Sequence, residues 1–147
     1  MYISINTLAE LTHYLMSLKI MLKREHLTKP IFSDGTTIGQ VAFHTAESAN
    51  FYLTLFILDT AYPRQRDLEF SQRHSLEKVV TSIDRTLEIC KKLPKKHIPL
   101  DQPLKKIKFV KSIGYDVHFV FEVVQHVSAH TANHVGQINM KINLLDS

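Results

Sequence analysis

The sequence predicts an all-α protein, a single domain built as a four-helix bundle. Apolar residues recur at helical spacing in four long segments, glycine occurs only 4 times, and no convincing strand ladder or internal repeat interrupts the pattern. At 147 residues the chain fits one domain, and a domain of this size buries roughly 68–70% of its unfolded surface. It needs no covalent staple, and the single cysteine, Cys90, offers none.

The first helix is expected to open on a capping box of Thr7 with Glu10. It carries Leu8, Leu11, Leu15, Leu18 and Leu22 as one stripe until the chain meets Pro30. Asp34-Gly35 turns the chain, and Thr37 with Gln40 forms a second capping box. Helix two then presents an apolar face from Ile38 to about Ala61, before Pro63. Leu76, Val79, Val80, Ile83, Leu87 and Cys90 mark helix three, favoured at its end by lysines and stopped by Pro94. Cys90 lies on that stripe and reads as an inert core thiol. Residues 91–111, with three prolines, read as a loop with a short extended piece at 107–110, and helix four is expected over 117–144.

The net charge of +4 is local: residues 91–111 hold eight of the 18 basic residues and one of the 14 acidic ones, and the remainder is net acidic. Lysines without interleaved arginine or stacked aromatics are a solvated connection rather than a phosphate track, so nucleic acid is not an expected partner. The first thirty residues lack the pattern of a secretory signal, which predicts a cytoplasmic protein. The strongest apolar run, FYLTLFIL at 51–58, is far shorter than the ~20 residues a membrane span needs. Its apolar groups surround more than one face of helix two, which predicts a second partner surface and hence a homodimer.

Helical phase sorts the histidines. At ~100° per residue, His44 falls roughly 40° from the centre of the apolar arc of helix two, and His134 roughly 40° and His130 roughly 80° from that of helix four. His126 falls roughly 120° away and ~12 Å along the helix from His134, which makes it a rim or supporting residue. His13 reads as a surface residue; His26, His74 and His97 carry no suggestion of chemistry. Two histidines four apart rise ~6 Å along one face and can converge on one ion. Three inward histidines otherwise each need their own buried partner, at a cost of ~1–3 kcal/mol for each one unmet. Both readings, a shared divalent ion and ordinary buried polar packing, fit the spacing.

His44 in TIGQVAFHTAESANFYL and the element HTANHVGQI resemble the signature of the DinB/YfiT-like superfamily, over nearly the whole length of the chain. The resemblance implies up-down-down-up connectivity with a long crossover and a divalent metal, commonly zinc or nickel, on His44, His130 and His134. It further implies an enzyme acting on a small-molecule substrate, most nearly a thiol S-transferase using a low-molecular-weight thiol such as bacillithiol or mycothiol. Three protein ligands leave a position open, which suits catalysis. A bound ion either deprotonates a thiol there or makes a hydroxide for hydrolysis, so a metal-dependent hydrolase is the alternative. A non-enzymatic dimeric metal-binding module is the third. Glu47, one turn after His44, and Gln137, one turn after His134, are the candidate catalytic residues. The chain departs from many relatives in lacking tryptophan and in carrying Val135 where they have arginine.

Overall fold

The computed structural model describes residues 1–110 and 114–147, with the side chains of 107–110 and 115 left aside. Its helices are α1 (Ala9–Met21), α2 (Ile38–Tyr52), the short α3 (Arg66–Ser71), α4 (Leu76–Lys92) and α5 (Val120–Asp146). Strands β1 (Pro103–Val110) and β2 (Tyr115–Phe119) form one antiparallel hairpin between α4 and α5. The chain is therefore mostly helical rather than all-α.

α1 does not begin on the expected capping box. Thr7 Oγ1 accepts from the backbone N–H of Ser4 at 2.8 Å, and Ser4 Oγ accepts from that of Thr7 at 3.2 Å. With its hydroxyl spent upstream, Thr7 leaves the N-cap to Leu8, which makes no side-chain cap, and Glu10 stays exposed. The leucine stripe is as expected: Leu8, Leu11, Leu15, Leu18 and Leu22 are all buried. The helix stops at Met21 rather than at Pro30, because Leu22 and Lys23 turn extended and a 3-10 turn at Arg24–His26 carries His26 inward. His26 Nε2 meets Asp146 Oδ1 at 3.0 Å, tying this turn to the end of α5. Gly39, in the first turn of α2, lets the turn lie close, since a β-carbon there would sit 2.9 Å from the carbonyl oxygen of Leu27.

α2 starts on the expected reciprocal cap, with Gln40 N–H on Thr37 Oγ1 at 3.3 Å and Thr37 N–H on Gln40 Oε1 at 2.9 Å. It ends sooner than Ala61, running into a π turn at Leu53–Ile57 that closes at Leu58. The wider turn rotates the aromatic-rich run so that α5 covers part of it and β1 another part. Leu53, Phe56 and Ile57 are buried, and no large apolar side chain between 51 and 58 is exposed. The chain itself thus covers part of the surface that motivated a homodimer, while Phe51, Leu55 and Leu58 stay half-buried.

α4 ends as expected before Pro94, which sits in a 3-10 turn, and its start, for which the sequence marked no cap, is capped by Ser75 accepting from Lys78 N–H at 3.1 Å. Cys90 is buried on its inner face, and burial pushes the thiol up to about 11. The lysine-rich segment is not merely a loop. The extended piece is longer than 107–110, and Val117, expected in the last helix, lies in β2. α5 begins at Val120, where Glu122 Oε2 accepts from the backbone N–H of His118 at 2.7 Å and of Phe119 at 2.9 Å.

α2 packs on both α4 and α5, and α1 packs on the same two helices. A polar seam joins α2 to α4: Asn50 Nδ2 donates to the Ser82 carbonyl at 3.1 Å, Thr86 Oγ1 to Asn50 Oδ1 at 2.8 Å, and Ser82 Oγ to Glu47 Oε2 at 2.7 Å. Among the described residues no helix is long and apolar enough to cross a membrane.

Candidate metal centre

His44 comes from the second turn of α2 and His130 and His134 from the middle of α5, where those helices pack. Helical phase predicted this convergence. One nitrogen from each of the three rings lies within 4.8 Å of the other two, and His44 Nε2 stands 3.2 Å from His130 Nε2. A tetrahedral ion with ~2.0–2.1 Å bonds separates two ligand nitrogens by about 3.3–3.4 Å. The closest pair is already near that spacing.

Tautomers decide whether the lone pairs face the centre. His44 Nδ1 lies 2.8 Å from Glu69 Oε1, and His134 Nδ1 lies 2.8 Å from Gln137 Oε1. Both oxygens can only accept, so each Nδ1 carries a proton, and in a neutral ring so held Nε2 is the nitrogen with the lone pair. Arg64 Nη2 is 3.2 Å from the same Nδ1 of His44. Two donors do not bond, so Arg64 belongs to Glu69, which it grips with Nε at 2.7 Å and Nη2 at 2.9 Å. Burial raises the Glu69 carboxyl pKa, but the hydrogen bonds from Arg64 and His44 outweigh it and hold the group below its ordinary value.

His130 and His134 are kept neutral. Burial first, then the neighbouring His134, His44, His126 and Arg64, press His130 down to about 2. Burial also lowers His134, against the raising effect of its bond to Gln137. Neutral imidazole is the form that ligates a metal, so the donor set and its support fit a divalent cation.

Gln137 is thus placed beside a candidate ligand histidine, as its spacing allowed. Glu47 is engaged on the α4 side: its Oε2 accepts from Ser82 Oγ and Tyr62 OH, each at 2.7 Å, and from Asn50 Nδ2 at 3.3 Å. Burial and the bond to Glu47 push the Tyr62 hydroxyl up to about 12. His126 lies outside the triad, its ring centroid 5.9 Å from that of His130 and 4.7 Å from that of Tyr52.

Sequence reasoning missed Glu69 and Arg64. They lie in and beside a six-residue helix, too short for any apolar period to register, and their partner His44 is 25 residues from Glu69. His74, expected to carry no chemistry, helps to seat that helix: it stacks on Phe43 at 4.1 Å and its Nε2–H donates to the Glu69 carbonyl at 2.8 Å.

Burial holds the His74 pKa below its ordinary value, so the unfolded chain takes up this proton first. Its contribution is unaffected above pH ~6.5, and stability is lost as pH falls below that value. Metal-free protein should therefore melt at progressively lower temperature between pH 7.5 and 5.5, with a shallower slope in His74→Phe. Parallel slopes in calorimetry would remove His74 from the cause.

No family model matches the chain, and no curated protein or solved structure matches it either.

Proposed function

We propose that this protein is a metal-dependent enzyme of the DinB/YfiT-like kind, which transfers a low-molecular-weight thiol to an electrophilic small molecule. The observation that carries the proposal is the convergence of three imidazoles, two of them fixed at Nδ1 by Glu69 and Gln137. His44, His130 and His134 would hold a divalent ion, zinc or nickel, with one position open, and the ion would supply a Lewis acid able to lower the pKa of a thiol there.

The up-down-down-up arrangement belongs to the same proposal. Met1 bonds Leu100, which bonds Phe121 at the head of α5, while His26 meets Asp146 at its tail, so α1 and α5 run the same way. Phe43, Glu47 and Asn50 meet Lys78, Ser82 and Thr86 in order, which makes α2 and α4 parallel. His44 faces His130 and Tyr52 faces His126, which makes α2 antiparallel to α5.

Transfer is favoured over hydrolysis by the state of the acids. A hydrolase needs a placed base to take a proton from water. Glu47 already receives three donors, and Glu69 is committed to Arg64 and His44. A thiol starts near pKa ~8.5 and needs less help. Its sulfur attacks the electrophilic carbon, the leaving group departs with the electron pair, and the thiol proton passes to solvent.

The test sets bacillithiol, mycothiol, glutathione and a simple thiol against chlorinated and epoxide electrophiles, beside a panel of esters and amides. Zinc- or nickel-loaded wild type should conjugate faster than it hydrolyses, and faster than His130→Ala. Conjugation no faster than the variant, with metal-dependent ester cleavage, would transfer the assignment to a hydrolase. Silence in both panels sinks the enzyme reading in favour of a metal-binding module.

A further inference from the structure

We infer that Glu69 is a positioning residue for the metal centre, setting the tautomer and donor strength of His44 through a carboxylate–histidine hydrogen bond that Arg64 braces. The inference rests on the metal reading of the three histidines and extends it to a residue that no spacing in the sequence marks.

Glu69 is 1% exposed, and its carboxylate is held from two directions, by Arg64 Nε and Nη2 and by His44 Nδ1. Removing two charges from water is expensive, and a buried ion pair is often no more stabilising than apolar residues of the same volume. Clipping α3 to α2 does not require one either. Gln40 Nε2 donates to the carbonyls of Phe70 at 2.6 Å and Gln72 at 3.3 Å, and His74 Nε2–H donates to the Glu69 carbonyl. These bonds seat the short helix without the carboxylate. What the carboxylate adds is its placement on the far nitrogen of a candidate ligand, where an acceptor fixes ring orientation and a negative charge strengthens the opposite nitrogen as a donor. His134 receives the first of these services from the neutral Gln137. His44 receives both.

Arg64 makes the charge essential. Its Nη2 stands 3.2 Å from His44 Nδ1, so a neutral side chain at 69 would leave an uncompensated cation against a ring meant to bind another. Glu69→Gln should therefore weaken zinc binding on the order of 10–100-fold. Glu69→Asp keeps the charge for Arg64 but shortens the reach to His44, and should weaken it in the same direction.

The experiment measures zinc affinity by competition with a chromophoric chelator for wild type, Glu69→Gln, Glu69→Asp and His130→Ala, with folding checked by circular dichroism. Nitrogen-15 spectra of metal-free wild type report the tautomer independently. The expected result is His44 protonated at Nδ1 and zinc binding that falls in both Glu69 variants and disappears in His130→Ala. Wild-type affinity in a folded Glu69 variant, or His44 protonated at Nε2, overturns the inference. If wild type takes up no zinc, the metal reading fails and the inference with it, and the tautomer then judges only whether Glu69 orients His44. Should Glu69→Gln not fold, Glu69→Asp and the tautomer decide.

Discussion

Metal-free protein titrated with zinc should bind about one ion per chain, and His130→Ala or His134→Ala should bind none under the same conditions. The expectation follows from geometry: the three candidate ligand nitrogens lie within 4.8 Å of one another, so each variant removes a third of the set and leaves only two imidazoles to hold an ion. An ion that binds only the folded chain stabilises it by mass action, by ~2.7 kcal/mol at a free concentration 100-fold above Kd. For a domain of this size that raises the melting temperature by roughly 8–10 °C. The variants should lose this shift while keeping helical circular dichroism. His126→Ala should retain the ion, because His126 lies outside the convergent set. Zinc-dependent stabilisation of His130→Ala equal to that of wild type would remove the centre from these residues.

The parts of the site legible in the sequence are those that a helix encodes locally. His44, His130 and His134 each had a phase relative to their own apolar arc, and long helices that pack by those arcs bring inward residues together. The same reasoning put His126 at the rim, but its side chain is buried, because its ring packs against Tyr52 on α2 as well as beside His130, although it stays outside the convergent set. Glu69 and Arg64 were illegible because their role depends on where a six-residue helix docks, which no local pattern encodes. The fold divides in the same way. The Thr37–Gln40 cap formed because Gln40 reaches α3 with its amide nitrogen and keeps Oε1 for the Thr37 N–H, whereas Thr7 lost its capping role to Ser4, three residues upstream. The hairpin was half hidden: Leu104 is buried while Lys105 is exposed and reaches Asp59 at 2.8 Å, so lysines that look like a solvated loop also guard an edge strand.

The second large effect should appear at the seam between α2 and α4, away from the candidate metal ligands. Asn50 is fully buried and spends its amide on the Ser82 carbonyl, Ser82 Oγ and Glu47, while its carbonyl accepts from Thr86. Asn50→Ala removes all of these and opens a void between two packed helices. Thr86 Oγ1 has second acceptors in the carbonyls of Ser82 at 3.3 Å and Ala46 at 3.4 Å, so it can redirect its proton and soften the loss. The net cost should be about 2–4 kcal/mol. Glu47→Gln should cost less, about 1–2 kcal/mol, because Glu47 is only half-buried and Gln keeps an acceptor for Ser82 or Tyr62. Urea unfolding at fixed metal content measures both, and zinc affinity should stay within a few-fold of wild type in each. That combination separates the two faces of α2: one face holds α4 through Glu47 and Asn50, and the other presents His44 to α5. A Glu47→Gln protein of wild-type stability whose thiol conjugation nevertheless collapses would instead place Glu47 in the chemistry, as its position one turn from His44 first suggested.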